Sequence, residues 1–132
     1  MPLARSARWY TWIRPAEASR GVGDLGAIST VLDAGCGTGL LCAEMANEVG
    51  SNGRVIGVDL SAPMLALAKS RCAAHPEIEL HHGDIHDLPV EDAAADALAC
   101  MQVLLFVTDV TPTLLEFYRA CLLYTSDAAD EE

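Results

Sequence analysis

The chain has few basic residues, few aromatic residues and no long apolar run. Only 8 of its 132 residues are Lys or Arg, against 19 that are Asp or Glu, so the formal net charge is -11 at pH 7. Nucleic acid is therefore not expected as a partner, because an acidic chain repels the phosphate backbone. No apolar run approaches the roughly 20 residues that cross a bilayer, and no secretory signal pattern is present. We expect a cytoplasmic protein without a membrane span.

The sequence also lacks a C-x-x-C pair. Its five cysteines are separated by 6, 30, 28 and 21 residues, which is not the spacing of a zinc site or of a redox dithiol. An odd number of cysteines without a secretory signal favours reduced thiols. We expect most of them to be small buried side chains, with no metal bound. They are Cys36, Cys42, Cys72, Cys100 and Cys121.

Apolar residues make up 52% of the chain and charged residues 20%, a composition that supports one domain with a buried core. Residues 1–29 show no sustained helical or strand period, and we expect an irregular N-terminal lead-in there. From Thr30 onward, short β-branched runs alternate with apolar helical stretches, which is typical of βαβ units in a parallel sheet. The predicted strands are 31–33, 54–59, 78–82 and 97–103, and the predicted helices are 40–49, 64–73 and 111–120. We therefore expect an α/β core over residues 30–120.

The most informative motif lies between the first predicted strand and its helix, where the acid Asp33 is followed by three alternating glycines. These are Gly35, Gly37 and Gly39. Glycines let the backbone turn sharply and approach a ligand closely. A dinucleotide fingerprint would need a third glycine at the position of Leu40, so the match to that motif fails. A carboxylate at the strand tip disfavours a pyrophosphate and accepts hydrogen bonds from an ammonium-bearing ligand.

A second acid, Asp59, closes the second predicted strand 20 residues after Gly39. In doubly wound folds an acidic side chain at this separation meets ribose hydroxyls, so a nucleoside is implied. A ligand with an amino-acid ammonium, a ribose and no phosphate describes S-adenosylmethionine. The sequence therefore predicts S-adenosyl-L-methionine as the cofactor.

Here the chain resembles the class I S-adenosylmethionine-dependent methyltransferases, in particular the small-molecule branch that includes quinone-biosynthesis enzymes. The resemblance covers about residues 30–120 and rests on four segments in the family's order, VLDAGCGTG, IGVDLS, HHGDIHDLP and ALACMQVLLFV. It implies a Rossmann-like doubly wound parallel sheet with about four of the family's seven strands, in the order 3-2-1-4. It also implies methyl transfer to a small-molecule acceptor by in-line displacement, with no catalytic residue identified.

The same resemblance implies which residues contact the cofactor. The first segment supplies the methionine side, through Asp33, Gly35, Cys36, Gly37 and Gly39. The second places Asp59 on the ribose and Leu60 and Met64 beside the adenine. The third places Asp84 at the exocyclic amino group of adenine and Ile85 against the ring. The fourth places Cys100 to Gln102 by the methionine portion, facing the substrate.

The histidines do not indicate a metal site. His81 and His82 are adjacent and would point to opposite faces of a strand, so they cannot chelate one ion together. His86 lies two residues beyond Asp84, near the expected cleft, and a role as general base is left open. Two other functions also stay open. One is a non-catalytic fragment that at most binds the cofactor, and the other is an NAD-dependent oxidoreductase on the same type of sheet.

The C-terminal part of the chain departs from the family. The family continues to a fifth strand and an antiparallel pair, which the residues after Ala120 cannot build. Residues 121–131 read CLLYTSDAADE, which matches read-through of a transposase-type sequencing adapter, so we expect 121–132 to be a non-native tail. We accordingly expect a C-terminally truncated methyltransferase whose sheet exposes an apolar edge at the fourth strand. The oligomeric state is not predicted.

Overall fold

The computed structural model describes the backbone of residues 10–13, 30–101 and 108–121, and the side chains of 30–100 and 108–121. The strands in these ranges are β1 Tyr10–Ile13, β2 Thr30–Ala34, β3 Arg54–Asp59, β4 Ile78–His82 and β5 Ala97–Met101. The helices are α1 Leu40–Val49, α2 Ala62–Arg71 and α3 Val110–Cys121. None of the helices described is long and apolar enough to cross a membrane.

The five strands form one sheet in the order β1-β5-β2-β3-β4. Strands β2 to β5 run parallel to one another, with β2 between β3 and β5. Counted along the chain, these four parallel strands follow the order 3-2-1-4, so the predicted order is confirmed. Parallel strands all end at one edge of the sheet, and this places the residues that follow them side by side.

Strand β1 differs from the sequence-based expectation. It lies within residues 1–29, for which we predicted an irregular lead-in, and it pairs antiparallel with β5 from Tyr10 opposite Met101 to Ile13 opposite Leu98. The edge of β5 is therefore paired. This corrects the expectation that the fourth predicted strand exposes an apolar edge. The physical reason is that an unpaired strand edge presents a row of N–H and C=O groups that another strand can satisfy. The rest of the predicted lead-in lies outside the described residues.

The helix boundaries follow local backbone chemistry. Helix α1 begins after Gly39 and ends at Gly50, both with left-handed φ angles of 82° and 76°. Helix α2 begins after Ser61, whose hydroxyl caps the helix by accepting the backbone N–H of Met64 at 3.3 Å. It ends at Arg71, two residues before the predicted end.

Apolar residues cover both faces of the sheet. On one face, Val31 packs with Leu41 and Met45 of α1 and with Leu65 of α2, among other buried side chains. On the other face, Leu32, Ile56 and Leu98 pack with Phe117 and Ala120 of α3. Neighbouring residues such as Val31 and Leu32 serve opposite faces because side chains alternate along a strand. A parallel strand covered on both sides therefore consists almost entirely of apolar residues.

Helix α3 provides a test of this packing. Phe117 is fully buried, whereas Leu115 on the same helix is 60% exposed. Replacement Phe117→Ala should lower the free energy of unfolding by about 3 to 5 kcal/mol, because it leaves a cavity against the sheet. Leu115→Ala, the control, should change it by less than about 1 kcal/mol. Urea unfolding of both variants checks this, and equal losses would contradict the docking of α3 through Phe117.

Candidate functional site

The predicted site residues lie at the carboxyl edge of the parallel sheet. Asp33 is near the end of β2, Asp59 is the last residue of β3 and Asp84 follows β4 by two residues. Strands β3 and β4 are joined beyond their ends, since the backbone N–H of Gly83 donates to the carbonyl of Asp59 at 3.0 Å. The three acids therefore stand on adjacent strands at one edge. Ligands of doubly wound folds bind at this edge.

The loop after β2 adopts a conformation that requires glycine. Gly35, Gly37 and Gly39 have φ angles of 78°, 55° and 82°, in the left-handed region that other residues rarely enter. The backbone N–H groups of Gly35 and Cys36 both donate to the carbonyl of Val58, at 2.8 and 2.9 Å. These two backbone hydrogen bonds hold the start of the loop against the end of β3.

The second and third glycines of this loop have different surroundings. A Cβ atom at Gly39 would lie 2.9 Å from Cys72 Sγ and 3.1 Å from Ala68 Cβ, so Gly39 is needed for close packing of the loop on α2. A Cβ atom at Gly37 would meet no atom of the described chain within 4 Å. Gly37 therefore borders open space, where its backbone can approach a ligand.

The Asp59 carboxylate joins two loops. Its Oδ2 accepts the backbone N–H of Gly37 and its Oδ1 accepts that of Ser61, both at 2.8 Å. The side chain therefore fixes the glycine loop relative to the start of α2. Each carboxylate oxygen has a second lone pair, so Asp59 can still accept hydrogen bonds from the hydroxyl groups of a ligand.

Asp33 is a buried acid with an incomplete set of partners. It is 1% exposed, and the thiol of Cys42 donates to its Oδ2 at 3.3 Å. Its Oδ1 is buried and receives no hydrogen bond from the described part of the chain. Burial raises the pKa of Asp33 to about 7, the Cys42 hydrogen bond acts in the opposite direction, and the nearby charge of Asp59 raises it further. The Asp33 carboxylate is therefore suited to a cationic ligand.

Apolar side chains lie beside the acids. Leu60 and Met64 follow β3 and are 67% and 44% exposed, although both are large and apolar. Ile85 is partly buried and packs on the α3 face of the sheet. His82, which the sequence analysis assigned no role, forms a 2.7 Å hydrogen bond from its ring Nε2 to the carbonyl of Leu60. His82 thus supports the turn after β3, a contact for which the sequence carries no signal.

Asp84 and His86 form a hydrogen-bonded pair in the loop after β4. The Oδ1 atom of Asp84 accepts both the backbone N–H of His86 and its ring Nδ1–H, each at 2.9 Å. These contacts, the backbone one first, hold the pKa of Asp84 below its ordinary value. The other ring nitrogen of His86, Nε2, lies 2.9 Å from the hydroxyl of Thr113. Both ring nitrogens are therefore already in use, which disfavours the general-base role left open above.

The fourth predicted segment is placed differently from the other three. Cys100 is 3% exposed and belongs to the core on the α3 face of the sheet. Gln102 lies outside the described residues. The structure therefore brings together the predicted residues of the first two segments and places Asp84 beside them, while a cofactor contact at Cys100 to Gln102 stays a prediction.

Comparison with known proteins agrees with this geometry. The family model described as "Methyltransferase domain" matches residues 31–122, which is more than half of the chain. That range contains the glycine loop and the three acids.

Two curated relatives carry quinone methyltransferase names. The 2-phytyl-1,4-naphtoquinone methyltransferase of Trichormus variabilis is 42% identical over 93 residues, which are 68% of this chain and 41% of the relative. The demethylmenaquinone methyltransferase of Symbiobacterium thermophilum is 35% identical over 119 residues, 86% of this chain and 45% of the relative. The chain thus spans less than half the length of either relative.

Solved structures show the same architecture. An arsenic(III) S-adenosylmethionine methyltransferase from Chlamydomonas reinhardtii superposes with a TM-score of 0.64 at 28% identity, over 74% of this chain and 36% of the other. The match of the family model, the curated relatives and this superposition converge on one assignment. The chain belongs to the methyltransferase domain family, within the class I S-adenosylmethionine-dependent methyltransferases.

Proposed function

We propose that the carboxyl edge of the sheet binds S-adenosyl-L-methionine and presents its methyl group to a small-molecule acceptor. The observation that carries the proposal is Asp33, a buried carboxylate with an unpartnered oxygen beside a glycine loop that is open at Gly37. A buried acid without a partner is costly, and a cationic ligand offsets that cost. The cofactor has two cationic groups, its ammonium and its sulfonium.

The residues at this edge match the parts of the cofactor in order. Asp33 suits the ammonium of the methionine portion, and the open backbone at Gly37 allows that portion to approach closely. Asp59 suits the ribose hydroxyls, because both of its oxygens retain acceptor capacity. Leu60 and Met64 supply apolar contacts for the adenine ring. Asp84 suits the exocyclic amino group of adenine. Gly35, Cys36 and Gly39 shape the loop, and Ile85 and Cys100 to Gln102 complete the proposed set.

The chemistry supplied by the bound cofactor is a methyl group on a sulfonium, which is already a good leaving group. The chain's part is then to hold the donor, exclude water and align the acceptor for in-line displacement. Alignment of this kind lowers a barrier by roughly 7 to 11 kcal/mol. No side chain at the described edge is assigned as a general base. We propose a quinone-type ring as the acceptor, on the strength of the names of the relatives.

Three further elements of the proposal rest on charge and composition. The net charge of -11 disfavours nucleic acid as the acceptor. Cys36, Cys42 and Cys72 are buried thiols outside any disulfide, which supports a reducing cytoplasmic environment. An NAD-dependent oxidoreductase is disfavoured, since Leu40 replaces the last fingerprint glycine and the buried Asp33 repels a pyrophosphate.

Calorimetric titration with S-adenosylhomocysteine and with NAD separates these functions. We expect S-adenosylhomocysteine to bind and NAD not to bind.

Asp59→Ala should weaken the binding of S-adenosylhomocysteine by about 1 to 3 kcal/mol, through loss of charge-assisted contacts to the ribose. Glu44→Ala, at an exposed acid on α1, should leave the affinity unchanged. Binding of NAD alone would overturn the proposal, and binding without turnover on a panel of quinones, phenols and amines would favour the fragment alternative.

The open space at Gly37 allows a second test with a matched control. Gly37 and Gly50 both have left-handed φ angles and no atoms within 4 Å of an added Cβ. Alanine at Gly37 should cost about 1 to 2 kcal/mol in the free energy of unfolding, and alanine at Gly50, whose ψ is -175°, about 1 to 3 kcal/mol. Only Gly37→Ala should reduce the affinity for S-adenosylhomocysteine, by about tenfold or more, because its methyl group occupies the ligand side of the loop. Equal affinities of the two variants would argue against contact at Gly37.

Asp33 predicts a pH dependence of cofactor affinity. Its pKa of about 7 in the free protein should fall when a cation binds beside it, so binding must release a proton below that pH. The affinity for S-adenosylmethionine should therefore rise between about pH 5 and about pH 7, a range in which the α-amino group of the ligand stays protonated. Asp33→Asn should flatten this dependence. If the affinity changes with pH equally in the parent chain and in the variant, Asp33 does not bind the ammonium group.

A further inference from the structure

A continuous chain of hydrogen bonds links helix α3 to Asp84. The Thr113 hydroxyl lies 2.9 Å from His86 Nε2, and His86 Nδ1 lies 2.9 Å from Asp84 Oδ1. A carboxylate accepts hydrogen bonds and does not donate them when ionised, so Nδ1 carries the proton. In the neutral ring Nε2 is then the acceptor, and it receives the hydroxyl proton of Thr113. Each group thus donates toward the carboxylate: Thr113 donates to His86, and His86 donates to Asp84.

The hydrogen-bonded series is buried at the helix and exposed to solvent at the carboxylate. Thr113 is fully buried in α3, whose Phe117 is also fully buried against the sheet. The side chains of His86 and Asp84 are 46% and 52% exposed. Both hydrogen bonds to Asp84 end on Oδ1, and Oδ2 receives none from the described residues. An exposed aspartate is thus held in one orientation with one oxygen left for a ligand.

The loop does not depend on His86 for its attachment to α3. Arg119 donates to the carbonyls of Leu88 and Val90, at 3.1 and 3.0 Å, and Glu116 accepts the backbone N–H of Leu88. These contacts hold the loop two to four residues beyond His86. A purely structural tether at His86 would therefore be redundant.

We propose that His86 is a positioning residue for recognition of the adenine base: with Thr113 behind it, its ring orients the Asp84 carboxylate toward the exocyclic amino group. The inference rests on the proposed function, since it assumes that the adenosyl group binds at this edge. The role is selectivity for a base that donates a hydrogen bond from its 6-position. An oriented acceptor rejects an analogue that lacks the donor more strongly than a mobile one does.

The test compares S-adenosylhomocysteine with S-inosylhomocysteine, in which an oxo group replaces the 6-amino group. The parent chain should prefer the adenosyl ligand by about tenfold or more, as expected for loss of a charge-assisted hydrogen bond. His86→Ala leaves the backbone N–H as the remaining donor to Asp84 Oδ1 among the described residues, and should reduce this preference by about threefold or more, mainly by weakening the adenosyl ligand. His75→Ala, in the turn before β4, is the control and should keep the parent preference.

A second pair of variants separates positioning from folding. Thr113→Val removes the hydroxyl at nearly constant volume and should lower the preference, whereas Thr113→Ser retains the hydroxyl and should restore it. If His86→Ala does not fold, this pair decides the question. Equal weakening of both ligands by His86→Ala, or equal preferences of the Val and Ser variants, would overturn the inference. A parent chain that binds neither ligand would instead contradict the proposed function.

Discussion

The Asp59 carboxylate accepts one backbone N–H group on each oxygen, from Gly37 of the loop after β2 and from Ser61 at the start of α2. The two loops belong to neighbouring parallel strands, so one side chain sets their separation. Gly37 is held open by this contact, and Ser61 is held where its hydroxyl caps α2. The positions of Gly37 and of the start of α2 therefore depend on this carboxylate. An acid rather than an amide suits the position, because two oxygens each accept an N–H group and an amide has only one acceptor oxygen.

Three acidic side chains lie at the carboxyl edge of the sheet, and they differ in how well hydrogen-bond donors stabilise them. Asp33, Asp59 and Asp84 lie at the ends of adjacent strands. Among the described residues, Asp59 and Asp84 each receive two N–H donors, whereas buried Asp33 receives only the thiol of Cys42. The most deeply buried acid is therefore the least compensated. Such an arrangement is costly in the free protein and favours a ligand of positive charge.

The sequence predicts the parallel core well because its signals are local. Each βαβ unit combines a short apolar strand with an amphipathic helix, and the four parallel strands take the predicted order. The glycine loop is also predicted, since left-handed φ angles at alternating positions demand glycine. The burial of Asp33 and its raised pKa depend on the final packing, so no local sequence pattern predicts them. The same holds for His86, whose partner Thr113 belongs to a helix far away in sequence.

The burial of Cys100 and the presence of strand β1 both depend on packing between distant segments. Cys100 shares the α3 face with Leu98, because side chains alternate along β5, but the sequence does not say which face α3 covers. Strand β1 was missed because four residues are too short for a periodic signal. Its identity as a strand comes from its partner, β5. Pairing between distant segments is the part of a fold that single-sequence reasoning reads least well.

The antiparallel pairing of β1 with β5, called the seam below, affects the order in which the sheet forms. Tyr10 meets Met101, so the seam joins the first described strand to the last. Parallel pairing of β2, β3 and β4 needs only the short crossovers through α1 and α2, whereas closing this seam must organise nearly the whole intervening chain. Non-local contacts of this kind form slowly, because the loop entropy is lost before the contact is gained. We therefore expect the edge of β5 to be protected late in folding, which leaves it available to other strands until β1 pairs with it.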